Sequence, residues 1–400
     1  SAAAEQAADM KTHHLQKISP RFEYPVVFAR GLFSPDDDTL RAVLEPRVEP
    51  RPAPALVFVD AGLLPHYPSL TEDIARKFRA ESRWLHLVCD PIPVPGGERI
   101  KNDYRLIMSV VDACLEYRLC RRSLVFVVGG GAVLDAVGFA ASIVHRGLRI
   151  VRLPTTTVSQ GDSGVGVKTG MNLHGSKNTI GTFWPPFAVI SDLEFLATLR
   201  AEHWISGAAE AFKVAVVRDS AFLDFLCERA GDLRQRNEAV MEQVVMWSAR
   251  LHLEHIRSSR DPFEMGEGRP LDFGHWLAHK LESMSGFGMT HGHAVSVGLV
   301  VDLTYAALRG WITVTDRNRV VRALSRCGLP VSSPLLLERQ GDGRLRILDG
   351  LTEFREHAGG RLVLIYPDGM GRLQLVYEVD HVLLEQAVLG VVRGGALIRE

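Results

Sequence analysis

Residues of the kind that bind a divalent metal gather in three separated segments. Glu210 lies in Ala208-Ala-Glu-Ala-Phe-Lys213, and His275 and His279 lie in Leu271-Asp-Phe-Gly-His-Trp-Leu-Ala-His-Lys280. His291 and His293 lie in Thr290-His-Gly-His-Ala294. Residues three or four apart share a helix face. A helix over 272–284 therefore directs Asp272, His275 and His279 into one pocket, with a carboxylate supplied by another helix. A carboxylate with two imidazoles suits Zn²⁺ with one position open for substrate. That pattern predicts a metalloenzyme.

A second signal is a turn for phosphate. The strand Leu124-Val-Phe-Val-Val128 runs into Gly129-Gly-Gly-Ala-Val-Leu-Asp135 and then an apolar helix. Backbone N–H groups at such a helix start can hold a pyrophosphate, and glycine lets the main chain approach it closely. A triple-glycine turn is equally often a tight turn alone, and the spacing is not G-x-G-x-x-G. Pro154-Thr-Thr-Thr157 after the next strand adds hydroxyls for a nucleotide. Gly161-Asp-Ser-Gly-Val-Gly-Val-Lys-Thr-Gly170 and Gly175-Ser-Lys-Asn-Thr-Ile-Gly181 read as glycine-rich turns. They carry Asp162, Lys168, Lys177 and Asn178.

The elements that must position these groups follow from periodicity. Strands are expected at 23–33, 55–60, 85–90, 124–128 and 149–153, with helices over 69–80, 101–119 and from Gly131 to about His145. Strands alternating with helices imply a parallel sheet covered on both faces. After about Asp192 helical periods dominate, over 202–217, 219–230, 234–260, 272–284, 291–309, 314–327 and 381–393. Two strands, 361–366 and 373–377, join through a turn containing Pro367-Asp-Gly369. The expected fold is α/β followed by an all-α part, with a tail over 1–12, an α/β nucleotide-binding domain over 13–195 and a mainly helical metal and substrate domain over 196–400.

Composition bounds the rest. A chain of 400 residues, 46% hydrophobic and 23% charged, is long enough for two cores. Its net charge of −1 gives no bulk field toward nucleic acid or an anionic membrane. The five cysteines are scattered without a C-x-x-C pair, as for reduced cytoplasmic thiols. The Ala-rich, polar tail carries no secretory signal pattern and reads as disordered. The apolar stretches 124–144 and 294–308 are broken by Asp135, Asp302 and glycines, and read as core, not membrane spans.

Together these motifs resemble the dehydroquinate synthase-like sugar phosphate cyclases. The resemblance runs in order through Pro95-Gly-Gly-Glu-Arg-Ile-Lys101, Gly129 to Asp135, Arg146-Gly147 and Pro154-Thr-Thr156. It continues through Asp162 to Gly170, Lys177-Asn-Thr-Ile-Gly181, Glu210-Ala-Phe-Lys213, Gly274-His275 with His279, and His291-Gly292. It implies NAD⁺ contacts at Asp60, Glu98, Lys101, Gly130, Gly131, Ala132, Asp135, Thr155, Thr156, Lys168, Lys177, Phe195 and Thr198. It implies Zn²⁺, or Co²⁺, on Glu210, His275 and His291. Substrate contacts and catalysis would fall to Arg146, Asp162, Lys168, Asn178, Lys213, Asp272 and His279, with Arg146 serving a partner subunit of a homodimer. His293 reads as a surface or supporting histidine.

The departures narrow the substrate. Dehydroquinate synthases carry Asn where this chain has Asp272, an Arg where it has Gly268 (Arg269 being displaced by one), and a Lys near Glu254. Losing those cationic groups argues against a carboxylated substrate. Asp261-Pro-Phe-Glu264 and Arg269-Pro-Leu-Asp-Phe-Gly-His275 resemble the 2-epi-5-epi-valiolone synthases, which use sedoheptulose 7-phosphate. Phe22-Glu-Tyr-Pro25 and the segment from Asp162 to Lys168 resemble the EboD-type cyclases. The implied reaction is a carbon–oxygen lyase sequence of transient NAD⁺ oxidation, β-elimination of phosphate, re-reduction and aldol closure. Lys168 and Lys213 would stabilise alkoxide and enolate character. The rival expectations are a true dehydroquinate synthase, an iron- or zinc-dependent alcohol or glycerol dehydrogenase, and a metal-containing homologue with a binding role.

Overall fold

The computed structural model describes residues 14–174, 176–258, 263, 271–357 and 360–393. The tail at 1–12, Gly175, the stretch Asp261–Glu264 apart from Phe263, Gly268 and Arg269 lie outside them.

The first half builds one parallel sheet of seven strands. These are β1 (Val26–Ala29), β2 (Ala53–Asp60), β3 (Leu85–Leu87), β4 (Ile92–Val94), β5 (Leu124–Gly129), β6 (Arg149–Pro154) and β9 (Ala188–Asp192). The order is β1-β9-β6-β5-β2-β3, with β4 pairing the far end of β2. Successive residues of a strand face opposite sides, and β2 shows the consequence. Val57 and Val59 pack on Leu70, Ile74 and Phe78 of helix α2 (Leu70–Ala80), after the short α1 (Thr39–Leu44). Leu56 and Phe58 pack on the other face with Ile107 and Val110 of α4 (Tyr104–Glu116) and Val133 and Val137 of α5 (Gly131–Ile143). The helix expected over 101–119 is interrupted. Asp103 is extended and its carboxylate takes the Arg105 N–H, which starts α4 afresh after α3 (Arg99–Asn102).

The two glycine-rich segments are a correction. From Lys168 onward they form an antiparallel hairpin, β7 (Lys168–Leu173) and β8 (Ser176–Phe183), while residues 164–167 of the first segment remain turn and bend as expected. Gly170 pairs with Gly181, and a Cβ at Gly181 would lie 2.4 Å from the Thr169 carbonyl. Glycine there serves close strand approach. The loop leading into the hairpin is fastened from beneath. Arg152, 1% exposed in the middle of β6, donates to the carbonyls of Gly164, Gly166 and Lys168.

From Ala201 onward the chain is helical. Helices α6 (Ala201–Arg218), α7 (Ser220–Arg234), α8 (Glu238–Ser258), α9 (His275–Met284), α10 (His291–Leu308), α11 (Val314–Cys327), α12 (Asp349–His357) and α13 (His381–Arg393) share one large core with the hairpin of β10 (Leu364–Pro367) and β11 (Leu373–Val376). Helix α10 is buried almost all round, so the apolar run at 294–308 is core. No helix among the described residues is long and apolar enough to cross a membrane.

Candidate active site

The ligand-bearing helices touch through backbone. Helix α10 crosses α6 at Gly292, where a Cβ would lie 2.4 Å from Ser206 Cα. It crosses the start of α9 at Gly298, where a Cβ would lie 2.2 Å from the Gly274 carbonyl oxygen. Gly274 itself has φ +78°, a conformation glycine adopts without strain. Asp302 on α10 ties this junction. Its two oxygens accept from the Gly274 N–H, the Trp276 indole and the Tyr366 hydroxyl at 3.1, 3.0 and 3.2 Å.

Asp272 is therefore not on the helix of His275 and His279, contrary to the expected shared face. The helix begins at His275, and Asp272 sits in the turn before it, its carbonyl accepting the His275 N–H. Burial lowers His279 to about 3, and Asp272 only partly opposes this; for Lys213, Asp272 adds a small effect to those of Asp162 and Glu210.

Glu210, His275 and His291 converge. Glu210 Oε1 lies 3.0 Å from His291 Nε2 and 3.8 Å from His275 Nε2. A tetrahedral ion with bonds of about 2.0–2.1 Å separates its donor atoms by roughly 3.4 Å, and the two distances bracket that value. Glu210 is 1% exposed, and neither oxygen accepts a well-angled hydrogen bond although Lys213 Nζ stands 2.7 Å from Oε2 as an ion pair. His275 Nδ1 faces the Phe273 carbonyl at 3.2 Å and His291 Nδ1 faces Glu282 Oε2 at 3.2 Å. Both imidazoles thus keep Nε2 for a metal. The donor set fits a zinc-type ion. A second triad, His279, Glu282 and His291, is also close enough. It fits less well, because Glu282 is already held by Lys177 at 2.6 Å. The ring of His279 lies 5.4 Å from that of His275 and 6.0 Å from that of His291.

Electrostatics follow this geometry. Burial raises the Glu210 carboxyl, but Lys213 and His275 overcome it and hold the group well below its usual range. Burial and Lys213 lower His275 to about 4. Burial would also lower Lys213, yet Asp162 and Glu210 keep it firmly protonated. Asp162, 3.7 Å from Lys213 and 2.8 Å from His252 Nδ1, is brought down to about 2 against the effect of burial by the Lys213 ammonium and by its hydrogen bond with His252.

A second cluster lies on the nucleotide side. Lys101 bridges Asp135 on α5 at 2.7 Å and Asn178 Oδ1 at 2.5 Å. Glu98 accepts from Asn172 at 3.0 Å and pairs with Lys177 at 3.2 Å. Asp60 ends β2, takes the Gly62 N–H at 2.8 Å, and would be struck by a Cβ on Gly96 at 2.1 Å. Gly130 and Gly131 open α5 beside Thr156 and Ser163, and a Cβ on Gly131 would lie 2.8 Å from Ser163 Oγ. That hydroxyl is buried without a partner among the described residues. A cradle closed to side chains with an unsatisfied hydroxyl on its wall fits a pyrophosphate. Thr155 donates its N–H to Gly129, and Ala132 packs partly buried in the core under α5.

Some expected residues stand apart. Phe195 stacks edge-on against Tyr67 at 5.2 Å, and Thr198 donates to the Tyr67 hydroxyl at 3.4 Å, with no described contact to the glycine turn. Arg146 is exposed after α5 with φ +63° and contacts no other site residue among those described. Lys168 opens β7 with an exposed side chain. His293 is half-buried near Glu202 and His203, away from the ligand triad. Two participants escaped the sequence reading. Glu282 follows His275 and His279 at the i, i+4, i+7 spacing of one helix face, a signal that was available. His252 has no such signal, since its partner Asp162 is 90 positions away.

A parallel nucleotide-type sheet joined to a helical domain with a carboxylate–imidazole triad defines a two-domain, cofactor-dependent metalloenzyme class. Residues 91–206 match the family profile described as 3-dehydroquinate synthase N-terminal, and residues 207–342 the one described as 3-dehydroquinate synthase C-terminal. The chain belongs to the 3-dehydroquinate synthase family and is an enzyme of its sugar phosphate cyclase group. It is 30% identical to the 3-dehydroquinate synthase of Thermodesulfovibrio yellowstonii over 290 residues, 72% of this chain and 79% of that one. It is 33% identical to the 2-epi-valiolone synthase of Actinosynnema mirum over 289 residues, 72% and 74% of the two chains. The structure of ValA, the 2-epi-5-epi-valiolone synthase of Streptomyces hygroscopicus subsp. jinggangensis, solved with NAD⁺ and Zn²⁺ bound, superposes with a TM-score of 0.81 at 27% identity. It covers 96% of this chain and 99% of that one.

Proposed function

We propose that the protein is an NAD⁺- and Zn²⁺-dependent cyclase that converts sedoheptulose 7-phosphate, or a close heptulose phosphate, into a valiolone-type cyclitol with loss of phosphate. The observation that carries the substrate choice is Asp272, a carboxylate in the turn that leads directly into the helix of His275 and His279, where dehydroquinate synthases carry Asn. A carboxylated substrate would meet like charge there. The resemblance of the Leu271–His275 segment to valiolone synthases and the likeness to ValA support the same choice. The EboD-type branch stays within this proposal. A homodimer belongs to the same reading. Arg146, exposed and remote from its own site residues, serves the phosphate bound by the neighbouring copy. The cytoplasm is the expected compartment, given the unpaired thiols.

Glu210, His275 and His291 would hold the metal, and the Gly130–Gly131 turn with Asp60, Thr155 and Thr156 would hold the dinucleotide. When bound, these groups supply Lewis-acid polarisation of a carbinol oxygen and a reversible hydride acceptor. The chain's own groups do the rest. Lys213, kept protonated between Asp162 and Glu210, presents positive charge where alkoxide and enolate character develop. His252 fixes the other oxygen of Asp162, which orients the carboxylate toward Lys213. Lys168 and Asn178 on the hairpin, with Arg146, receive the phosphate. His279, its ring 5.4 Å from that of His275 and 6.0 Å from that of His291, contacts the substrate.

The test is inorganic phosphate release with NAD⁺ and Zn²⁺ from sedoheptulose 7-phosphate and from 3-deoxy-arabino-heptulosonate 7-phosphate, with NADH absorbance followed in parallel. Phosphate from the first alone, without net NADH, is the expected result. Phosphate from the second would return the chain to the true dehydroquinate synthases. Net NADH from simple alcohols would favour a dehydrogenase.

A further inference from the structure

Glu282 is 2% exposed and lies on none of the expected lists of ligands or substrate contacts. Its two oxygens face opposite ways. Oε2 lies 3.2 Å from Nδ1 of His291, and Oε1 lies 2.6 Å from Nζ of Lys177. Lys177 comes from β8, against the nucleotide domain, and its ammonium is held on the far side by Glu98 at 3.2 Å. The Phe287 ring lies 5.8 Å from it. A carboxylate at Nδ1 holds the proton on that nitrogen, which would leave Nε2, 3.0 Å from Glu210 Oε1, to a metal.

We propose that Glu282 is a positioning residue for the metal centre, fixing the ring and tautomer of His291, and that Lys177 acts on the same centre at one remove by holding Glu282. The inference rests on the assignment of Glu210, His275 and His291 as the metal ligands. Lys177 would then serve two purposes, binding at the nucleotide side and tuning metal affinity across the domain seam. Partners of this kind change metal affinity about 10- to 100-fold when removed.

The experiment is titration of chelator-treated full-length protein with Zn²⁺, and with Co²⁺ followed by its visible absorption, without nucleotide so that cofactor binding does not enter. Glu282→Gln keeps the shape and removes the charge. It is expected to weaken metal binding about 10- to 100-fold and to alter the Co²⁺ spectrum. Lys177→Met touches no ligand and is expected to weaken binding at least about threefold, and the double variant no further than Glu282→Gln alone. Glu282→Gln within about twofold of wild type would overturn the proposal. So would tighter binding in Lys177→Met, since the proposal has Lys177 support the site through Glu282. If Glu282→Gln does not fold, Lys177→Met decides alone. His275→Ala separates the underlying reading: normal metal content in that variant refutes the ligand assignment, whereas its loss beside an unaffected Glu282→Gln refutes this inference only.

Discussion

Gly292→Ala asks whether the spacing of the metal ligands is set by the helix crossing. Gly292 is the second residue of α10, where alanine is no worse than glycine on propensity, so any loss must be steric. The new Cβ would lie 2.4, 2.5 and 2.7 Å from Ser206 Cα, Cβ and carbonyl oxygen on α6. Two of these are main-chain atoms that no rotamer change can move. Reaching ordinary contact, which begins near 3.4 Å, requires the helices to part by about 1 Å. Glu210 rides on α6 one turn from Ser206, and His291 adjoins Gly292 on α10. Metal–ligand distances tolerate about 0.2 Å, so a 1 Å separation removes one ligand from the triad. We expect an overpacking cost of about 1–3 kcal/mol and zinc that is lost on dialysis. The assay is zinc content after dialysis together with the urea midpoint by tryptophan fluorescence. Gly390→Ala is the control: it has nothing within 4 Å in helix α13, and should keep its metal and gain up to about 1 kcal/mol. A Gly292→Ala protein that is less stable yet binds zinc as wild type would refute the link between crossing and ligand spacing.

Three further predictions concern charge. Burial pushes the Asp302 carboxyl up to about 7 against the three donors that face it, whereas an unfolded Asp titrates near 3.9. The folded chain therefore holds a proton the unfolded chain has shed, and this group's contribution to stability falls as pH rises from about 4 through about 7. The wild-type stability minus that of Asp302→Asn should decline across that window, and a flat difference would show the carboxyl to be ordinary. Asp272→Asn alone should leave the carboxylated heptulosonate phosphate unprocessed, because the cationic groups expected around that carboxylate are also missing; efficient phosphate release by the single variant contradicts this view of the pocket. Arg152→Met should destabilise the N-terminal domain by about 3 kcal/mol or more, since three loop carbonyls lose their donor at about 1–3 kcal/mol each; an unchanged urea midpoint would dismiss the arginine as a support.

Much of the frame was legible from period alone. Strand–helix alternation gave the parallel sheet, and α10 and α11 begin where their apolar periods begin. The failures share a cause, which is partners distant in sequence. Gly170 and Gly181 look like turn residues in isolation and become strand residues only because they face each other. Asp272 sits at the right spacing for a helix face, but Gly274 at positive φ, packed on Gly298, starts the helix after it. His252 means nothing until α8 brings it to Asp162. Glu282 was readable from its spacing, but its function depends on Lys177 from another domain.

The buried guanidinium of Arg152 has a consequence for how such an enzyme changes allegiance. It grips the path from Gly164 to Lys168 by main-chain oxygens, with no call on the side chains along it. Scaffold and selectivity are thereby written in different alphabets. The loop's course is dictated from the sheet below, while the side chains beside it are left open to exchange. A lineage can swap such groups without relearning how to fold, its vulnerability concentrated in one arginine buried in the sheet.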